Sequence, residues 1–262
     1  MGNSACEVSF ELSNGATIRA RHLDRGGETI VFLPGLGCSM KYYDCIWNDR
    51  SLKEVSLLAV DHLGFGISDK PEYFDYKLEH HAENLIRLLL RLGIEHYHLV
   101  GHSMGGAIAV LLLEESEVDS FVNVEGNLTE LDGALVSRKT AAVPEQTFVD
   151  HDFDELKREF PDFPDGYFSL SKASPRGFYR SACSLVEWSA SEKLLARYKA
   201  FTGPKCYMFG DKNFDAPSLP FLHGIDTISV SGSGHFPMVD NPNEFCQLVS
   251  QFLERETIHT GP

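Results

Sequence analysis

Gly101-His102-Ser103-Met104-Gly105 sets one hydroxyl among residues with little side chain, the G-x-S-x-G spacing of a nucleophilic serine. The spacing carries chemistry where it joins a strand to a helix. Here the apolar run HYHLV precedes it and the helical pattern MGGAIAVLLLEES follows. Such a turn holds the serine in an uncommon backbone conformation, and neighbours without Cβ atoms relieve the crowding. It lifts the hydroxyl clear of the chain. It also aims the Met104 amide, at the start of the new helix, toward developing negative charge.

A second amide for the same charge is expected from the loop after TIVFL, which reads Pro34-Gly35-Leu36-Gly37-Cys38-Ser39. Leu36 is the best-placed donor. The base is expected at His235, in GSGHFPMVDNP between the last strand and the closing helix. The carboxyl ends of parallel strands line the functional crevice, so Ser103 and His235 should share one edge. Neutral imidazole accepts the serine proton and returns it to the leaving group. His102 adjoins the serine but points elsewhere on such a turn, and reads as a packing or hydrogen-bonding residue.

These groups need a scaffold. VSFELS and TIRARHL alternate as an opening hairpin about Asn14-Gly15. TIVFLPG, VSLLAVD, HYHLVG and SFVNVEG are strand-length apolar runs that end in turn residues. Between them YYDCIWNDRSLKE, KLEHHAENLIRLLLRLG and MGGAIAVLLLEES read as helices, the second capped by Gly93. Strands alternating with helices predict an α/β fold with a parallel sheet covered on both faces.

After Glu125 the rhythm changes. Residues 127–201 hold helical stretches such as DFDELKREF and ASEKLLARYKAF, and no strand-like run. KCYMFG and DTISVS restore the strands, and NPNEFCQLVSQFLERE closes the chain as an amphipathic helix. The expected organisation is a core of residues 1–126 and 202–262 interrupted by a helical cap over 127–201. The cap aromatics Phe148, Phe153, Phe160, Phe163, Tyr167, Phe168, Phe178, Tyr179 and Trp188 are expected mostly to pack, with a few lining a pocket.

A chain of 262 residues suits one large domain with such an insert. Its net charge of −15 turns it away from nucleic acid and anionic membrane surfaces as partners. MGNSACEVSF lacks the apolar stretch of a signal peptide, and Cys6 stands where a myristoylation start wants Ser or Thr. No apolar run is long enough to span a bilayer. The six cysteines form no CxxC pair and read as packed free thiols in a reducing cytosol, which makes the expected location cytoplasmic.

Together, GHSMGG, LPGLG, DHLGFGISDKP, the late GSGHFPMVDNP and their order along the chain resemble the α/β-hydrolase superfamily over essentially the whole length. The resemblance implies a mostly parallel eight-stranded sheet with helices on both faces, an inserted helical cap, and a Ser-His-acid triad. DHLGFGISDKP, beginning at Asp61, matches a loop whose role in the superfamily is mainly structural. Pro34 stands where the superfamily's oxyanion loop usually carries a histidine, which leaves the backbone donors intact.

One departure concerns the acid. The superfamily commonly places it after the seventh strand in a G-x-x-D pattern, and here Gly210-Asp211-Lys212-Asn213 ends in an amide. An amide against the histidine favours the wrong tautomer, a change that costs serine proteases about ten-thousandfold in turnover. Some branches, certain haloalkane dehalogenases and zearalenone-type lactonases among them, carry a glutamate after the sixth strand instead. SFVNVEGNL ends with Glu125 at that place. Glu125 is therefore favoured, followed by Asp211 and then Asp215.

The resemblance implies acyl transfer: attack by Ser103, with His235 as base, Glu125 orienting it, and the Leu36 and Met104 amides holding the oxyanion. An ester or lactone of a small, apolar or cyclic molecule is the expected substrate, with no cofactor and no metal. Dehalogenase and epoxide hydrolase chemistry are disfavoured because both need a carboxylate where Ser103 stands. A cofactor-free lyase, a carbon–carbon bond hydrolase and a ligand receptor with a vestigial triad are the alternatives.

Overall fold

The computed structural model describes residues 4–133, 136–160 and 170–259. β1 (Cys6–Glu11) and β2 (Thr17–Leu23) form the opening hairpin, with Cys6 opposite His22 and Glu11 opposite Thr17. β3 (Thr29–Leu33), β4 (Ser56–Asp61), β5 (Tyr97–His102), β6 (Val118–Val124), β7 (Lys205–Gly210) and β8 (Asp226–Val230) complete one eight-stranded sheet. Its order is β1-β2-β4-β3-β5-β6-β7-β8. Only the β1–β2 and β2–β4 pairs are antiparallel.

Every residue of β3, β4 and β5 is buried, as a sheet covered on both faces requires. The two-residue period of a strand divides them between two cores. Val31 and Leu33 pack with α1 (Leu78–Leu92) and α2 (Met104–Leu112), while Ile30 and Phe32 pack with Tyr43, Trp47 and Phe245 on the other face. Phe32 is fully buried, so truncating it to alanine should cost about 3–5 kcal/mol.

The helix α1 ends as its sequence announces: Gly93 adopts the left-handed conformation and donates to the Leu89 and Leu90 carbonyls. YYDCIWNDRSLKE departs from expectation. It forms a 3-10 helix, Met40–Asn48, and then turns. Asp49 stops the helix by accepting the Ser51 amide at 2.8 Å, a local bond that competes with the next helical turn.

Between β6 and β7 the described residues hold no strand. They form α3 (Ser137–Ala141), α4 (Glu145–Thr147), α5 (Phe153–Glu159), α6 (Pro175–Ala190) and α7 (Lys193–Ala200). The sequence signal for α6 was Ser174-Pro175: the Ser174 hydroxyl accepts the Gly177 amide at 3.0 Å, and proline occupies the first turn. Phe148, Phe153 and Phe178 are buried together, with Phe148 stacked on Phe178 at 5.8 Å. Phe160 is exposed, and Phe163, Tyr167 and Phe168 lie outside the described residues. The last helix of the segment, α7, covers the sheet itself, its Tyr198 ring edge-on to Phe121 of β6 at 5.6 Å. Then α8 (Pro237–Asp240) and α9 (Pro242–His259) close the chain. Among the described residues no helix is long and apolar enough to cross a membrane.

Candidate active site

Ser103 joins β5 to α2 with φ 51° and ψ −120°, a region that costs a residue with a side chain about 1–3 kcal/mol. The surroundings hold it there. Its amide donates to the Val124 carbonyl at 3.0 Å, which ties the turn to the end of β6. The glycines about it answer to space. A Cβ at Gly105 would lie 2.2 Å from the Leu33 carbonyl oxygen, and one at Gly101 would lie 2.6 Å from that of Gly105. With neither side chain present, α2 starts directly against the end of β3.

Met104 is the first residue of α2, so its amide has no intrahelical acceptor. Across from it, the Cys38 amide closes a turn on the Gly35 carbonyl at 3.1 Å, with φ 76° at Gly37. That pattern is a type II turn, in which the second residue, Leu36, keeps its own amide free of the turn's hydrogen bond. Gly35 comes so close that a Cβ there would sit 3.0 Å from Ser103 Cβ. The two expected donors therefore flank the serine. The segment between β6 and β7 lies over this loop, since a Cβ at Gly37 would meet Leu170 at 2.8 Å and Phe178 at 2.9 Å.

Glu125 follows β6 with φ 45°, and its own amide donates to Met208 of β7 at 2.9 Å. This turns its side chain beneath the loop after β8. Its Oε2 lies 2.8 Å from His235 Nδ1. Oε1 accepts the Gly210 amide at 2.9 Å, and Asn213 Nδ2 donates to both oxygens, at 3.1 and 2.9 Å. Glu125 is 8% exposed, and this set of donors offsets the cost of burying its charge. A carboxylate only accepts, so Nδ1 carries the proton and Nε2 keeps its lone pair. Asp211 and Asp215, the two other candidates for the acid, are both exposed, and neither bonds to His235.

In the sequence Asn213 reads as the loss of an acid, whereas in the structure it is a donor to both carboxylate oxygens of Glu125. His102 also has a definite place. Its Nε2 donates to the His235 carbonyl at 2.8 Å, and the two rings are 4.8 Å apart. Burial, reinforced by His235, pushes the His102 pKa well below the usual imidazole range and keeps it neutral. No hydrogen bond joins the Ser103 hydroxyl to His235 among the described residues; catalytic hydrogen bonds in free enzymes are commonly long and tighten on substrate. His102, next to the serine in the chain, bonds to the His235 backbone, and the Ser103–Val124 and Glu125–Met208 bonds tie the two turns to the strand ends.

Asp61 stays apart from this arrangement. Its carboxylate accepts the Met40 amide at 2.6 Å and the Ile67 amide at 2.7 Å, and burial raises its pKa to about 6. It shapes the loop after β4, as its motif implied. Among the described residues no group of three or more His, Cys, Asp or Glu side chains is arranged to hold a metal ion.

The family model for the alpha/beta hydrolase fold matches residues 28–242. The chain belongs to this family. As an alpha/beta hydrolase it has a 25% identical relative in Mycobacterium tuberculosis, the uncharacterized protein Rv2715, aligned over 90% of this chain and 78% of that one. An esterase from Exiguobacterium antarcticum superposes with a TM-score of 0.72 at 20% identity, over 97% of this chain and all of the other. A haloalkane dehalogenase loop variant from Bradyrhizobium elkanii superposes with a TM-score of 0.77 at 17% identity, over 99% of this chain and all of the other. At such identities the two superpositions speak for the fold.

Proposed function

We propose that this alpha/beta hydrolase cleaves a carboxylic ester or lactone through an acyl-enzyme on Ser103. The observation that carries the reading is the 2.8 Å bond from His235 Nδ1 to buried Glu125, which leaves Nε2 basic on the sheet edge where the strained serine stands. In this mechanism His235 takes the Ser103 proton as the hydroxyl attacks the carbonyl. The amides of Leu36 and Met104 hold the oxyanion, and His235 returns the proton to the leaving alcohol. Water, deprotonated by the same imidazole, then releases the acid. Glu125 aims the ring and stabilises its cation.

Residues 127–201 act as a lid in this reading. The Phe148, Phe153 and Phe178 cluster behind the oxyanion loop suits an apolar or cyclic acyl group. The likeness to a dehalogenase does not extend to its reaction, because that chemistry requires a carboxylate nucleophile and position 103 is serine.

Turnover of 4-nitrophenyl esters tests the reading. Sustained release that disappears in Ser103→Ala, together with labelling of Ser103 by a fluorophosphonate, is the expected result. Ligand binding without turnover, or release that survives Ser103→Ala, would replace the hydrolase with a receptor or a different nucleophile.

A further inference from the structure

All six cysteines are free thiols, yet two of them are neighbours. Cys45 lies in the 3-10 helix Met40–Asn48 and Cys246 in α9, 201 positions apart in the chain, and their sulfurs are 3.7 Å from each other. The Cys246 thiol donates to Cys45 Sγ. Cys45 is half-buried and Cys246 fully buried. The proposed hydrolysis uses neither.

We infer that Cys45 and Cys246 form a hydroperoxide-sensitive dithiol that closes to a disulfide and staples the Met40–Asn48 helix to α9. The geometry assigns the roles. The half-buried Cys45 sulfur meets the oxidant as a thiolate, the nucleophilic form of any thiol. That thiolate attacks one peroxide oxygen, the O–O bond breaks, and the products are Cys45 sulfenic acid and, after protonation, an alcohol or water. The Cys246 sulfur then attacks the sulfenic sulfur; the S–S bond forms, and the hydroxyl leaves as water with the Cys246 proton. Two thiols are oxidised and one peroxide reduced. The bond to Cys45, and then burial, raise the Cys246 pKa, in keeping with a resolving thiol that stays protonated until its partner is oxidised.

The staple has a structural target. Tyr43, beside Cys45 in the chain region it fixes, donates to the Leu33 carbonyl at 2.9 Å, at the root of the oxyanion loop. Tyr42 packs on Phe236, next to His235, at 5.3 Å. Fixing this helix to α9 therefore braces both loops at once, and a cross-link across so long a stretch of chain restricts the unfolded state strongly.

Intact-mass measurement after hydrogen peroxide treatment decides the matter, independently of any hydrolytic activity. The expected product is about 2 Da lighter, carries a Cys45–Cys246 cross-linked peptide, returns to its starting mass with dithiothreitol, and melts at a higher temperature. Cys246→Ser should instead carry a sulfinic adduct on Cys45, about 32 Da heavier, and Cys45→Ser should show no cross-link at Cys246. Peptide mapping of the unsubstituted chain stands by itself should a variant misfold. A cross-link to another cysteine, or sulfinic Cys45 with Cys246 still a thiol in the unsubstituted chain, would overturn the inference.

Discussion

Asn213 holds Glu125 with its amide nitrogen 2.9 Å from one carboxylate oxygen and 3.1 Å from the other. The residue that stands at the superfamily's usual acid position thus donates to both oxygens of the carboxylate that follows β6. Glu125→Gln should lower kcat on a 4-nitrophenyl ester by roughly ten-thousandfold, as an amide in place of the triad acid does elsewhere. Asp211→Asn and Asp215→Asn should leave it unchanged. Equal losses in all three would assign the histidine a different partner.

Asn213→Asp sets two carboxylates against each other within hydrogen-bonding distance, an arrangement in which both cannot ionise cheaply. Its turnover at neutral pH should fall. Combined with Glu125→Gln it should exceed Glu125→Gln alone, because a carboxylate again faces the loop of His235. The four kcat values form a cycle, and strictly additive losses would refute the exchange.

Leu36→Pro removes an amide donor without opposing the backbone, since proline suits the second position of a type II turn with glycine third. The protein should fold, and turnover should drop about a hundred- to a thousandfold. Leu36→Ala, which keeps the amide, should be nearly silent. Circular dichroism and kcat for the pair separate a lost donor from a disturbed loop.

Acid should weaken the fold through its buried histidines. His62 and His81 face each other at 5.3 Å, and burial lowers the pKa of the first to about 4 and that of the second well below its usual value. For a depressed histidine the stability is complete above the unfolded value of 6.5 and is lost as pH falls toward the folded one. For His62 the loss between pH 8 and 5 is roughly 2 kcal/mol. Asp61 acts in the opposite sense: its folded pKa of about 6 lies above the unfolded value of 3.8, so acidification over the same range returns roughly 1.4 kcal/mol. His81 and His102 side with His62, so the net direction is loss. Urea midpoints at pH 8 and 5 measure it, and His62→Asn should flatten the slope.

The elbow was legible because three constraints coincide in six residues: an apolar run before, a helical run after, and glycines where a Cβ would strike Leu33 or Gly105. Glu125 was singled out only through the resemblance to branches that carry a glutamate after the sixth strand, and its bond to His235 came from the structure. The function of Asn213 was not, since an amide in an acid's place reads as a loss until the side chain it serves is located across the sheet. The bond from His102 to His235 spans 133 positions and has no local signature. The Met40–Asn48 helix failed to extend because an aspartate bonded locally, and α6 was missed although Ser174-Pro175 announced its start.

Gly126 leaves the sheet directly after Glu125, and a Cβ there would lie 2.2 Å from Asn123 Oδ1 and 2.8 Å from Gly106 Cα. Its amide is held by Asn123 at 2.7 Å. The root of the long excursion between β6 and β7 is therefore wedged against α2, the helix that Ser103 precedes. In the proposed mechanism this anchorage would keep the Glu125 carboxylate aimed at His235 whatever the excursion beyond residue 126 does.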